Sequence, residues 1–378
     1  MRIFKVVIFI MFLINSYVYS EWQSKLMAYV GLHNGIVKID AEKMEIVKKV
    51  VQIPCKEFRW ITEIELSSNG EDLFVVSNPA GRPMDEWRQE ILVAGIDNFT
   101  VPEDGRIDIC PPEARNKGFS VRGIKASPNG KKLYVSVSYL NEKEDDSIQK
   151  IYVIDTDPFS ESRYKVIKEI KGYFDTGRKA AQFSNNGKLL YLADKSNNVL
   201  RIINTETDEV IEERKNIFDR NNLFKILNEK DKIFMYGLYV FKEVGLHFFP
   251  KFNTRTYEYS DAVLKIVNFN KKIEKIDIPI EYVKKYGNDI GSVTFTPDRQ
   301  KIWISFAKGG RGEGGSGILI VDVELKKVIK EIENIGDNAV NIVFNYERVK
   351  VDGKEGNKKE TKPVYMGTKE VIPVKKKK

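Results

Sequence analysis

The chain has 378 residues, 42% of them hydrophobic and 31% charged, with two histidines and two cysteines. That length suits a single all-β unit with a full core, and so few histidines and cysteines leave almost no material for a zinc centre or a Ser-His-Asp triad. The formal charge of +8 points to nucleic acid or membrane only until it is located: residues 348–378 hold 11 basic against 4 acidic residues, and residues 21–347 hold 49 against 50. The body is neutral, and no nucleic-acid partner is expected.

Residues 1–20 read as a secretory signal peptide. Arg2 and Lys5 precede an apolar run from Val6 to Leu13, and Val18-Tyr19-Ser20 offers modest side chains at the cleavage point. The alternative, a membrane anchor, needs about 20 apolar residues, and Asn15 interrupts the run. Export to the periplasm or the extracellular space is expected.

From there the chain repeats one unit. Its cleanest copy runs from Val121 to Ile170: an apolar strand closing on Ser127-Pro128-Asn129-Gly130, the alternating strand Lys131 to Val137, a third strand Lys150 to Asp155, and a fourth within Arg163 to Ile170. Asn-Gly supplies the left-handed residues of a tight hairpin turn, and the alternation predicts one buried face. Further copies are read at Trp60 to Ile96, Lys179 to Glu213, Leu223 to Ile278 and Ser292 to Ile332, with turns at Ser68-Asn69-Gly70, Asn185-Asn186-Gly187 and Thr296-Pro297-Asp298. Lys25 to Ile53 lacks a first strand, and Asn338 to Asn345 supplies it from the other end, closing a ring. Repeated four-stranded antiparallel units predict an all-β β-propeller occupying residues 21–347. Six blades are countable. A seventh has two possible homes, the irregular stretch Lys242 to Tyr259 or the tail. Residues 348–378, polar and basic, are expected to be largely disordered, with Lys375 to Lys378 able to meet anionic lipid.

Candidate chemistry is sparse. His33 and His247 have no second ligand at metal spacing, and His247 reads as a packed loop residue. The glycine-rich run Gly309 to Gly317 lacks a Gly-Lys-Ser/Thr ending and reads as a loop; Asn98-Phe99-Thr100 fits the glycosylation pattern. Cys55 and Cys110 follow the outer strands of successive blades, and a Cys55–Cys110 disulfide is expected in an exported chain. Arg59, Arg122, Arg178 and Arg220 precede inner strands, and Trp60, Asn288, Asp289 and Asp337 stand in corresponding loops. Together they outline a channel mouth able to hold an anion or a polar partner.

The core Pro128 to Val135, with Ile154-Asp155 and Val321-Asp322 ending third strands, resembles the YVTN-type repeat of extracellular propellers. A narrower resemblance, to the β subunit of quinohemoprotein amine dehydrogenase and more distantly to the methylamine dehydrogenase heavy chain, rests on three further features. These are Tyr29-Val30 with Val37 to Asp40, one cysteine after each of the first two blades, and the Ser138 to Gln149 insertion with the final Asn341 to Arg348 strand. The resemblance implies seven blades and a periplasmic subunit holding a small quinone-bearing subunit and a c-type cytochrome, in a complex that oxidises primary amines. Quinone and heme then belong to the partners; this chain has no CxxCH, so no cofactor is expected in it. No catalytic residue transfers. Two other readings stay open: a stand-alone ligand- or protein-binding propeller, and a hydrolase or lyase built from channel-mouth residues such as Asp289 and Arg178.

Overall fold

The computed structural model describes residues 22–350 apart from 52–58, 80–88, 98, 103–104, 116, 142–146, 173, 175–179, 195–196, 218–223, 237–238, 254–257, 288–289, 308–315 and 337. The first sheet takes β1 (Trp22–Leu32), β2 (Gly35–Asp40) and β3 (Glu45–Val51) from the start of the chain. The second holds β4 (Arg59–Leu66), β5 (Asp72–Pro79), β6 (Glu90–Gly95) and β7 (Arg106–Ile107). The third holds β8 (Ser120–Ala126), β9 (Lys132–Leu140), β10 (Ser147–Asp155) and β11 (Val166–Lys171), and the fourth β12 (Ala181–Phe183), β13 (Leu189–Asp194), β14 (Val199–Asn204) and β15 (Glu209–Lys215). The fifth runs through β16 (Phe224–Asn228), β17 (Ile233–Tyr236), β18 (Tyr239–Lys242), β19 (Val244–Asn253), β20 (Glu258–Asn268) and β21 (Ile273–Asp277). A short helix, α1 (Ile280–Tyr286), leads to the sixth: β22 (Ile290–Phe295), β23 (Lys301–Phe306), β24 (Gly317–Asp322) and β25 (Lys327–Ile332). Finally β26 (Ala339–Lys350) returns to pair with β1, so the first sheet has the order β26-β1-β2-β3.

The sheets close on themselves as a β-propeller. β22 lies against β26, β26 against β4, and β4 against β8. Tyr134, Ile151 and Val153 of the third sheet share one apolar cluster with Leu190, Leu192 and Ile202 of the fourth. β18 then meets β12 and β13, and β19 meets β22. Closure by strands from the two ends of the chain thus stands as expected, and β26 extends beyond the sequence reading: it pairs with β1 from Leu32↔Ala339 to Trp22↔Lys350.

Two sequence expectations need correction. The second strand of the third sheet is buried on both faces: in β9, Leu133 through Tyr139 are all buried. Blades stack face to face, so a middle strand has a neighbouring blade on each side, and only outer strands such as β15 keep an exposed, charged character. In addition, Leu223 to Ile278 is not one four-stranded copy but a six-stranded sheet. It is held together at its middle by a single residue pair, Lys242↔Val244, across Glu243, whose φ is 60°. Its two halves pack separately. Ile233, Met235 and Val240 join the fourth sheet's core, whereas Leu246, Phe248, Leu264 and Ile266 join Ile302 and Ile304 of the sixth. Counted by hydrogen bonding among the described residues the ring has six sheets; counted by packing it has seven units, and Lys242 to Tyr259 is where the extra one begins.

One turn recurs between first and second strands, and the sequence sets it. The hydroxyls of Ser67, Ser127, Ser184 and Thr296 donate to Asn69, Asn129, Asn186 and Asp298 at 2.6, 2.7, 2.8 and 2.5 Å. The same hydroxyls accept the amides of Asp72, Lys132, Leu189 and Lys301. Only the last turn residue is left-handed: φ is 73°, 74°, 70° and 61° at Gly70, Gly130, Gly187 and Arg299. The asparagines therefore serve as side-chain acceptors that satisfy turn amides and do not themselves adopt left-handed backbone.

Candidate functional site

The inner strands enclose an axial cavity of about 350 Å³, lined from β4 by Glu63, Glu65 and Leu66, from β8 by Lys125, from β12 by Ala181, from β22 by Gly291 to Thr294 and from β26 by Asn341 to Phe344. A shared irregularity fixes which side chains arrive there. Register slips by one residue between Ile61 and Glu63, between Val121 and Gly123, and between Ile290 and Ser292. β26 skips Val340 opposite Gly31 and Leu32. Such bulges re-aim the strand that follows. Glu63, Ser292 and Asn341 stand directly after the bulged residue, and Glu65, Lys125 and Thr294 follow one tier deeper, toward the turns.

Polar groups of the wall tie neighbouring blades together. Lys125 Nζ lies 2.9 Å from Glu65 Oε1, and the Ala126 amide donates to the same oxygen at 3.4 Å. Burial works against the charge on Lys125, but the carboxylates of Glu65 and Glu63 outweigh it and hold the ammonium above its ordinary pKa. Asn341 accepts the Ile64 amide at 3.1 Å and donates to the Ile64 carbonyl at 2.5 Å and to Glu63 Oε1 at 3.3 Å. Among the described residues, the hydroxyls of Ser292 and Thr294 and the second oxygen of Glu65 make no hydrogen bond to protein. The cavity wall therefore combines polar groups that keep open hydrogen-bonding capacity with the apolar residues Leu66, Phe344 and Ala181.

The sequence-derived mouth residues fall differently. Arg59 and Trp60 open β4, with side chains outside the described residues. Arg122 is the exposed, bulged residue of β8, and its Nε donates to Ser138 Oγ at 3.3 Å. Arg178, Arg220, Asn288, Asp289 and Asp337 lie outside the described residues. Arg122 matches Thr62 by bulge position, so Arg59 and Arg122 do not occupy equivalent places. Sequence reasoning missed Glu63, Glu65, Lys125, Ser292, Thr294 and Asn341. The signal was there: Glu65, Lys125 and Thr294 each stand five residues before the left-handed turn residue, and Glu63 and Ser292 seven before it.

Cys110 is buried, and Cys55 lies outside the described residues. Asn98 and Gly309 to Gly315 lie outside them too. His247 sits in strand β19, not in a loop, edge-on to the Tyr236 ring at 5.5 Å. Burial, aided by Lys265, lowers its pKa to about 4, so it is neutral at physiological pH. Among the described residues no helix is long and apolar enough to cross a membrane.

No family model matches this chain, and no curated protein matches it. Among solved structures it is similar to Citrobacter koseri AztD, at 10% identity and a TM-score of 0.42 over 87% of this chain and 100% of that one. It is also similar to PpgL, the periplasmic gluconolactonase of Pseudomonas aeruginosa, at 12% identity and a TM-score of 0.41 over 85% and 99% of the two chains. A Bacteroides caccae protein of unknown function matches at 12% identity and 0.42, over 84% and 98%. Likeness at this level carries no argument about activity or partner.

Proposed function

We propose that this propeller is an exported binding protein whose ligand site is the axial cavity and whose ring serves as a scaffold. The observation that carries the reading is the cavity wall: polar side chains from four inner strands meet there, and several retain hydrogen-bonding capacity. A ring of stacked sheets holds those strands rigidly, so the groups are preorganised and little ordering entropy opposes binding. A cavity of this volume suits a small ligand. The test is a blocking substitution, Ser292→Phe, with a fragment screen read by ligand-observed NMR. Fragments that bind the native protein and not the blocked one support the reading; fragments indifferent to the block refute it.

The finer reading makes the chain the β-like subunit of a periplasmic amine dehydrogenase complex, with quinone and heme on the partner subunits. Support for it is the sequence resemblance, and the cavity does not bear on it. Isolation from the native host with a small quinone-bearing chain and a c-type cytochrome is the expected result; purification of the chain alone counts against it. Mass spectrometry of the secreted protein, with the mature terminus near Ser20, tests export.

A further inference from the structure

Two opposite charges meet on the cavity wall without exhausting each other's hydrogen bonds. Lys125 Nζ spends one of its three donors on Glu65 Oε1, 2.9 Å away, and the Ala126 amide donates to the same oxygen. Among the described residues, the other two donors of Lys125 and Oε2 of Glu65 make no hydrogen bond to protein. The pair stays reachable, since the two side chains are 28% and 16% exposed and both line the cavity. Glu63 beside it is already engaged, by Asn341 Nδ2 at 3.3 Å. From β22, Ser292 and Thr294 add two hydroxyls that can each donate and accept. A charged ligand gains from one member of the ion pair what it loses to the other. Neighbouring hydroxyls do better: they accept from Lys125 and donate to Glu65 together, and further hydroxyls meet Ser292 and Thr294. Leu66 and Phe344 supply apolar wall for the C–H faces between them.

We propose that the axial cavity takes a small uncharged polyol, a compact carbon ring or chain bearing several neighbouring hydroxyls. This rests on the reading of the cavity as a ligand site. The Lys125–Glu65 pair is the anchor, Ser292 and Thr294 extend the hydrogen-bonding surface, and the volume of about 350 Å³ admits a molecule of monosaccharide size. Such a site rejects analogues that lack the hydroxyls, because its own polar groups are then left unpaired. The ligand carries no charge, so its affinity changes little as salt is added.

The test compares four six-membered rings by calorimetry: myo-inositol, cyclohexanol, cyclohexylammonium and cyclohexanecarboxylate. Expected is binding of inositol at least tenfold tighter than of the other three, and nearly the same at low and at physiological ionic strength. Thr294→Val, which leaves the ion pair alone, should weaken inositol binding severalfold with an unchanged melting temperature. Glu65→Gln combined with Lys125→Met, which strands neither charge, should erase the preference over cyclohexanol, and Ser292→Phe should abolish binding. Equal binding of the four rings, or inositol binding that survives Ser292→Phe, overturns the proposal. So does an inositol affinity that Thr294→Val and the paired change leave untouched. If one of the other rings binds best and Ser292→Phe blocks it, the polyol is wrong and the cavity reading stands. If no ring binds, both fall.

Discussion

A methyl group placed on Gly291 would lie 2.0 Å from the carbonyl oxygen of Ala339 and 3.0 Å from Ser305 Oγ. Gly291 is the bulged residue of β22, and Ala339 begins β26, so this contact lies where the last complete blade meets the closing strand. No side chain fits without moving backbone. Gly291→Ala should cost about 3 kcal/mol or more, at the upper end of overpacking penalties, seen as a lower midpoint in urea unfolding. An unchanged midpoint would mean the seam is looser than this packing.

The first sheet, which β26 completes, also holds a buried ion pair. Lys38 of β2 and Glu347 of β26 meet at 2.6 Å, each side chain 13% exposed. Around them stand Lys48 on β3, Asp97 after β6, and Tyr29 and Lys25 on β1. Burial raises Glu347 to about 7 and, with Asp97 opposing it, lowers Lys38 to about 8. The raised carboxyl contributes stability that is present below its unfolded value near 4.5 and lost as pH rises through about 7; the lowered amine contributes stability present above 10.5 and lost as pH falls through about 8. Both losses coincide near pH 7 to 8. Replacing the pair together, Lys38→Met with Glu347→Leu, should therefore raise the melting temperature most in that window, whereas Glu347→Leu alone should cost about 3 kcal/mol by stranding the lysine. Melting curves at pH 5, 7.5 and 9.5 decide it.

Asp208 joins two blades from a turn whose backbone is left-handed, φ 56°. One oxygen accepts from Tyr134 Oη at 2.6 Å and the other pairs with Lys132 Nζ at 2.6 Å. Burial and the carboxylate together raise the phenol well above its ordinary pKa. Asp208→Ala should destabilise by about 2–4 kcal/mol, since it strands the buried Tyr134 hydroxyl and leaves the Lys132 amine only the Thr205 carbonyl. Asp208→Asn, which tolerates the backbone and keeps one acceptor, should cost less. Equal losses in chemical denaturation would show that the carboxylate's charge, and neither the backbone nor the retained acceptor, carries the effect.

The Cys55–Cys110 bridge expected from the sequence is tested by titrating thiols in the unfolded protein, recovered from an oxidising compartment, with and without reductant. No reactive thiol before reduction and two after it is the expected result. In the chain-entropy model closing such a loop contributes about 4 kcal/mol, so reduction should lower the melting temperature measurably. Two thiols without reductant refute the bridge.

The repeat was legible because each copy carries its own local instructions. A hydroxyl, an Asx side chain and a glycine at fixed spacing make the same hydrogen-bonded turn wherever they occur, and apolar runs flank it. Those interactions span at most five residues, so sequence alone determined the blade, its recurrence and the strand returning from the far end. Which side chains reach the axis was decided only by the tertiary structure: the one-residue slips at Thr62, Arg122, Gly291 and Val340 arise where inner strands of different blades press together, and each slip re-aims everything after it. The same holds for the fifth sheet, whose halves divide at Glu243 because its flanking strands bury their apolar faces against different neighbours. Contacts between blades are distant in sequence, and local pattern does not encode them.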